Sequence, residues 1–210
     1  MIDLFDPKDI PRITTARESH SGRLLTDRQF DEAMSITGIV EHEIKKSGSF
    51  KDKLGDYAHA FARSEKFDAM KAETILRDLF KERCGQSMNE MRKSLMEREQ
   101  NLSADERRIG AANASEVGNL IKNGNKISFN RAYAHQAQNL GQYLGITDKG
   151  AKSLMKEEFK IGHGEDFYEW GKEIEKKHYR PQIEAERQAR DGQSQSVVSP
   201  EKGMQISRSM

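Results

Sequence analysis

Between residue 12 and residue 180 the chain contains no proline, and this absence constrains its fold more than any other feature. Proline disrupts a helix interior because it has no backbone N–H to donate and its ring clashes with the preceding turn. Helices can therefore form at any point of this stretch. The prolines of the chain lie outside it, at positions 7, 11, 181 and 200.

Three capping boxes indicate where helices begin within this stretch. Each has a Ser or Thr followed three positions later by a Glu or Gln: Thr26/Gln29, Ser87/Glu90 and Ser103/Glu106. In such a box the two side chains satisfy backbone N–H groups that the first turn of a helix leaves free. Apolar residues then recur at the helical period, whereas Val and Ile rarely alternate as a strand requires. The sequence predicts an all-α fold, an irregular helical bundle of about seven to eight helices.

Composition divides the chain into four parts. Prolines, Gly22 and scattered Ser and Thr residues predict an irregular N-terminal arm, and a Ser- and Gln-rich composition predicts a disordered tail. Between them we expect one bundle domain, with two small helical lobes as the alternative, and then a long charged helix that Pro181 should kink or divide. The predicted boundaries are 1–25 for the arm, 26–165 for the bundle, 166–190 for the charged helix and 191–210 for the tail.

The balance of charges limits what the whole surface can attract. Lys and Arg number 35 against 34 for Asp and Glu, so that the formal net charge is +1 at pH 7. Hydrophobic residues account for 35% and charged residues for 33%, with a mean hydropathy of −0.87, which predicts amphipathic helices around a thin core. A nucleic-acid site therefore has to be a local basic patch, because the chain as a whole carries little positive excess.

The most specific motif is the string LGQYLGITDKGAKSLMK, which runs from residue 140 to residue 156. A helix-turn-helix needs a small residue in its first helix, a glycine in the turn and apolar anchors on both sides. The residues that meet these needs are Gly141, Leu144, Gly145, Ile146, Ala151 and Leu154. The segment resembles the helix-turn-helix spacing of many bacterial regulators.

This resemblance implies a second helix that contacts phosphates or base edges of DNA. The contacts it implies are Thr147, Lys149, Lys152, Ser153 and Lys156. Asp148 and Gly150 oppose this interpretation, the first through its negative charge and the second through its weak helix propensity. An ordinary packed corner between two helices is the alternative, because it requires the same glycine and apolar residues.

Catalytic and metal-binding signatures are missing from the sequence. The six histidines form no His-Glu-x-x-His pair, and no cysteine lies at zinc-ligand spacing. Cys84 has the basic neighbours Lys81 and Arg83, which would lower the pKa of a thiol. Its place directly before Gly85, which predicts a helix end, is more typical of a small buried residue. We therefore expect no catalytic residues, no metal site, no cofactor and no enzymatic activity.

The cellular setting follows from cysteine content and from hydropathy. One cysteine cannot form an intramolecular disulfide. No stretch approaches the roughly 20 apolar residues of a membrane span, and no apolar run follows a basic segment at the N-terminus. We expect a cytoplasmic protein without a membrane partner, with export as an effector as the alternative.

The charged C-terminal helix suggests how such a protein could bind a partner. Its apolar residues Phe167, Trp170 and Ile174 are predicted anchors that can dock on another macromolecule. We hypothesise a non-enzymatic interaction protein that binds a protein partner or forms a homo-oligomer. The alternative is a regulator that binds duplex DNA with residues 140–156. In general character the chain resembles small accessory proteins of bacterial mobile elements, or exported effectors.

Overall fold

A computed structural model describes the backbone of residues 10–123 and 126–196 and the side chains of residues 12–123 and 126–190. The helices are α1 (Ile10–Glu18), α2 (His20–Arg23), α3 (Asp27–Ser47), α4 (Lys51–Glu65), α5 (Ala69–Cys84), α6 (Met88–Gln100), α7 (Ala104–Lys122), α8 (Phe129–Leu144), α9 (Asp148–His163), α10 (Phe167–Ile174) and α11 (Arg180–Ser196), with a π-helical turn at Glu175–Tyr179 joining the last two. The described residues contain no strand, which confirms the all-α class. With the unbroken run from α10 to α11 taken as one helix they form ten helices, more than the seven to eight expected.

The three predicted capping boxes are present at the starts of α3, α6 and α7. Four helices end in glycines with left-handed backbone: φ is 70° at Gly48, 72° at Gly85, 67° at Gly145 and 74° at Gly164. Glycine suits this conformation because it has no Cβ to clash with the following carbonyl. Local signals in the sequence therefore set most helix boundaries.

The apolar side chains form two separate clusters, which define two lobes. The first lobe comprises α1 to α5 with the start of α6, and its core runs from Ala16 to Met91. The second lobe comprises α7 to α10, and its core runs from Ala114 to Ile174. Helix α6 packs against the first core as far as Leu95 and reaches the second lobe with its last turn, so it connects the two.

The prediction of an irregular arm over residues 1–25 is wrong for the part that the structure describes, because α1 and α2 occupy residues 10–23. Pro11 is tolerated because it lies in the first turn, where its missing N–H has no partner to lose. Ala16 is fully buried in the first core. The Arg17 guanidinium donates to the carbonyl oxygens of Gly22 at 2.7 Å and Leu25 at 2.9 Å. These tertiary contacts order a segment with weak local signals, and residues 1–9 lie outside the described residues.

The C-terminal helix is longer than predicted. It continues through residues 191–196, which were assigned to the tail, because nothing after Pro181 interrupts it before that point. The π-helical turn ends at Tyr179, two residues before Pro181, the residue expected to kink or divide this helix. A proline donates no N–H, and a widened turn is one way for the helix to change its hydrogen-bond pattern there. Residues 197–210 of the predicted tail lie outside the described residues.

Candidate functional site

The corner between α8 and α9 has the tight geometry that its sequence predicts. Leu144, Ile146 and Leu154 are buried on both sides of the left-handed Gly145. A Cβ at Gly141 would lie 3.1 Å from the carbonyl oxygen of Ile146, so the close approach of the turn favours glycine there. Both interpretations of the motif require this corner, and its presence alone does not separate them.

One face of α9 carries lysines along the length of the helix, with the exposed Glu157 at its edge. Lys149, Ser153, Lys156 and Lys160 follow each other at spacings of four, three and four, and all four are exposed. We call these residues the lysine face. Beside it, the half-buried Lys152 places its Nζ atom 5.8 Å from the centroid of the Tyr133 ring. The Nζ atom of Lys156 lies 5.2 Å from the centroid of the Tyr168 ring. The lysines that the motif predicted as contacts therefore lie on or beside one surface.

Thr147 lies differently from these lysines, since it is buried and already bonded. Its hydroxyl accepts a hydrogen bond from the N–H of Gly150 at 2.9 Å and donates one to Glu99 Oε1 at 2.5 Å. Its backbone N–H donates to the same carboxylate oxygen at 3.0 Å. The N-terminal end of α9 is therefore occupied by a carboxylate from α6.

The last turn of α6 holds both sides of the corner through adjacent residues, which we call the α6 clamp: Arg98 and Glu99. Arg98 Nε donates to the carbonyl oxygen of Leu144, the last residue of α8, at 3.1 Å. Glu99 accepts from Thr147 at the start of α9. The cation thus meets a helix C-terminus and the carboxylate a helix N-terminus, as the helix dipoles favour. Arg98 also pairs with Glu106 and, together with the Ser103 N–H, lowers the pKa of that carboxyl to about 2.

The α6 clamp explains Gly150, the residue that weakens helix propensity in the motif. A Cβ at this position would overlap the carboxyl group of Glu99. The glycine therefore leaves room for the clamp in the first turn of α9, and an alanine would displace the carboxylate.

A groove opens where the end of α3 meets α8 and α9, and its volume is about 540 Å³. We call it the junction groove, and its charged and titratable lining comprises His42, Lys46, Arg131, His135, Asp148, Lys149 and Lys152. Burial raises the pKa of the Asp148 carboxyl, an effect that nearby His42, Lys152 and Lys46 oppose. Lys149 belongs to both the groove and the lysine face, so the two surfaces are continuous.

Sequence reasoning missed several groups of this surface. Lys46 lies about a hundred positions from the motif, and only the fold brings it to the groove. Arg131, His135 and Gln138 line the groove at spacings of four and three on α8, a pattern that could have been found from the sequence. The exposed Lys160 extends the lysine face by one further turn. No local pattern in the sequence predicts that Glu99 contacts the start of α9.

The predicted docking anchors lie inside the second lobe. Phe167 is fully buried and Ile174 is 8% exposed, while Trp170 is half-buried. The Phe167 ring lies 5.0 Å from Phe159 and 5.5 Å from Trp170 between ring centroids. These side chains anchor α10 to its own lobe, so a partner would have to displace them to use them.

No family model, curated protein or solved structure matches this chain. Within residues 10–123 and 126–196, no helix combines the length and apolar character needed to cross a membrane. The same residues hold no group of three or more His, Cys, Asp or Glu side chains placed to bind a metal ion.

Proposed function

We propose that this chain is a non-enzymatic interaction protein that binds nucleic acid through the junction groove and the lysine face. The supporting observation is a local excess of positive charge. In the groove, the cationic side chains of Lys46, Arg131, Lys149 and Lys152 surround one carboxylate, Asp148. These cations lie close together although the formal net charge of the whole chain is only +1. A concentrated basic surface attracts phosphates and releases their condensed counterions.

Ion pairs involve only part of the positive charge in the groove. Of its cations, Lys46 pairs with Glu43 at 3.9 Å. Arg131 and Lys149 form no ion pair within 4.0 Å with any residue that the structure describes. Their positive charges are available to an external anion.

Binding rather than catalysis is proposed because the groove is open and its histidines, lysines and arginine present exposed ends. The thiol of Cys84 is not among the residues that line the groove; it lies at the end of α5 in the first lobe, where burial raises its pKa to about 12. Asp148 is the carboxylate among the groove-lining residues that the structure describes.

Fluorescence anisotropy with labelled nucleic acid tests the proposal. We expect saturable binding that weakens steeply with salt, because each phosphate contact releases counterions. A variant with Gln in place of Lys149, Lys152 and Lys156 should bind much more weakly. Its matched control replaces Arg23, Arg63 and Lys81, exposed basic residues of the first lobe, and should bind as the wild type does. Equal losses in both variants, or no saturable binding, would contradict the proposal.

A protein partner, including a second copy of the chain, is the second candidate. The observation that favours it is an apolar surface on the first lobe. Leu24 is 53% exposed and Met70 is 78% exposed, and both line one cavity of about 400 Å³ between α2 and α5. Co-purification from the native host with and without nuclease separates the candidates. A partner that is retained after nuclease treatment, and lost on Met70→Lys, would support this second candidate.

A further inference from the structure

We infer that the nucleic acid is a duplex, that both lobes contact its backbone, and that binding is independent of base sequence. This inference rests on the proposed function and specifies the partner of the same site. Three features support it: the helices that line the groove, the hydrogen bonds at the start of α9, and the positions of the aromatic rings near the lysine face.

The groove is assembled from both lobes. Lys46 lies in the last turn of α3 in the first lobe, whereas Arg131 lies on α8 and Lys149 on α9. Arg92 Nε of α6, the helix that connects the lobes, donates to the carbonyl oxygen of Gly48 at 2.8 Å. A Cβ at Gly48 would lie 3.7 Å from Thr147 Cγ2, in ordinary contact with the start of α9. An anionic strand that enters the groove therefore meets cations of both lobes.

The covered start of α9 argues against reading of base sequence. A helix-turn-helix protein reads base edges with the N-terminal residues of its second helix, which enters the major groove. Here the Glu99 carboxylate accepts both hydrogen bonds from Thr147, and that threonine is 3% exposed. The exposed residues of α9 include the lysine face, which begins at Lys149, and also Glu157 and Ile161. Lysines on a helix side contact phosphates, which carry no sequence information of their own.

The position of the aromatic rings argues for a duplex over a single strand. Sequence-independent single-strand sites stack bases on exposed aromatic rings along a basic groove. Among the described residues that line the junction groove, none is Phe, Tyr or Trp. Tyr133 is buried beneath Lys152. Tyr168, beside the lysine face, is 39% exposed, and Lys156 lies over its ring. Tyr143 is 73% exposed but lies outside the groove lining, which makes it a discriminating control.

The test compares duplexes of unrelated sequence and a single strand of equal length, all fluorescently labelled, by anisotropy over a range of salt. We expect equal affinities for the duplexes and weaker binding of the single strand. Lys46→Gln and Arg131→Gln should each weaken duplex binding and lower the magnitude of the salt slope by about 1, as loss of one phosphate contact requires. Lys81→Gln and Tyr143→Ala should change neither quantity.

Each alternative outcome identifies what failed. Absence of saturable binding to every probe would overturn the proposed function and this inference with it. Binding that prefers the single strand, that depends on Tyr143, or that distinguishes duplex sequences would overturn the inference and leave the nucleic-acid proposal standing. An unchanged salt slope in Lys46→Gln would restrict the contact surface to the second lobe. Circular dichroism should show that Lys46→Gln stays folded, because the Lys46 side chain is 57% exposed and its ion pair with Glu43 is long, at 3.9 Å.

Discussion

In the first lobe, α3 and α5 pack around a buried ion pair, whereas in the second lobe the helices approach each other at glycines. The Arg83 guanidinium lies 3.0 Å from the Glu41 carboxylate, and their side chains are 10% and 18% exposed. In the second lobe, a Cβ at Gly118 would lie 2.7 Å from Trp170 Cη2, and one at Gly171 would overlap the Phe129 ring. The core of the first lobe contains a charged pair, whereas in the second lobe glycines lie opposite large aromatic rings.

The two lobes should therefore be destabilised by different kinds of substitution. The first lobe depends on a charge pair whose members stabilise each other in a poorly solvated place. The second depends on the absence of a methyl group at a few positions, because packed cores do not yield freely to added volume. Gly55 of the first lobe does not share this constraint, since a Cβ there would have no neighbour within 4 Å, whereas one at Gly22 would overlap the carbonyl oxygen of Ala16.

The largest effect is expected from Arg83→Met, which breaks the ion pair of the first lobe. Glu41 would remain poorly solvated, with Lys45 as its other partner at 2.6 Å. We expect a loss of about 3 kcal/mol in the free energy of unfolding, the low end of the cost of breaking a buried pair. Urea denaturation followed by circular dichroism measures it. Arg77→Met is the control, because the Arg77–Glu73 pair is about 40% exposed and should contribute less than about 1 kcal/mol.

Gly171→Ala should destabilise the second lobe, because the added methyl group overpacks its core. The new methyl group would overlap the Phe129 ring, and we expect a loss of about 2 kcal/mol. Gly55→Ala is the matched control in the first lobe, where the same change should gain about 0.5–1 kcal/mol from helix propensity. Trp170, the single tryptophan of the chain, reports on the second lobe by fluorescence. Equal effects of the two substitutions would contradict the contrast between the lobes.

The two lobes also differ in how much of them the sequence predicts. The capping boxes at Thr26, Ser87 and Ser103, the helix end at Gly85 and the turn at Gly145 were predicted because their signals are local in the chain. The division into two cores was only an alternative, since apolar periodicity shows which face of a helix is buried but not against which helix. The helical part of the N-terminal arm was missed because α1, with the buried Ala16, packs on α5, a helix far along the chain.

The candidate site divides in the same way. Lys149, Lys152, Ser153 and Lys156 were found from one motif, because residues three and four apart share a helix face. Lys46 and Glu99 could not be found, since they reach α9 from other helices through the tertiary fold. Thr147 was predicted as a contact from its position in the motif, whereas its hydrogen bonds to Glu99 of another helix could not be predicted from the sequence.

Gly150→Ala should have a smaller effect and tests the α6 clamp between the lobes. Alanine improves helix propensity by about 1 kcal/mol, but its methyl group would displace the Glu99 carboxylate and its hydrogen bonds to Thr147, worth about 1 kcal/mol each. We expect a net loss of about 1 kcal/mol.

Gly162→Ala is the matched control for this substitution. Gly162 lies in the same helix, and a Cβ there would have no neighbour within 4 Å. This control should gain about 0.5–1 kcal/mol. A gain of stability in Gly150→Ala, measured by urea denaturation, would show that the clamp contributes little.

The last pair of predictions concerns the reactivity and the proton binding of the Cys84 thiol, which lies beside the buried ion pair of the first lobe. Burial, and secondarily the Glu41 carboxylate, raise the pKa of this thiol to about 12, although Arg83 opposes the shift. The thiolate is the reactive form, so the folded protein should react very slowly with a disulfide reagent at pH 8. Labelling in the folded state and in urea, followed by absorbance of the released thiol, measures the difference. Folded protein that reacts as fast as unfolded protein would contradict it.

The same thiol makes stability depend on alkaline pH, and the sign follows from the direction of its shift. An unfolded cysteine loses its proton near its ordinary pKa of 9.0, whereas the folded one keeps it until about 12. The folded state therefore binds the extra proton, and its stability falls as pH rises through this window. Cys84→Ala should reduce that fall while leaving the stability near pH 7 almost unchanged, since the half-buried thiol is replaced by a side chain of similar size. An identical pH dependence in the variant and the wild type, measured by urea denaturation at pH 8 to 10, would show that burial of Cys84 does not govern its proton.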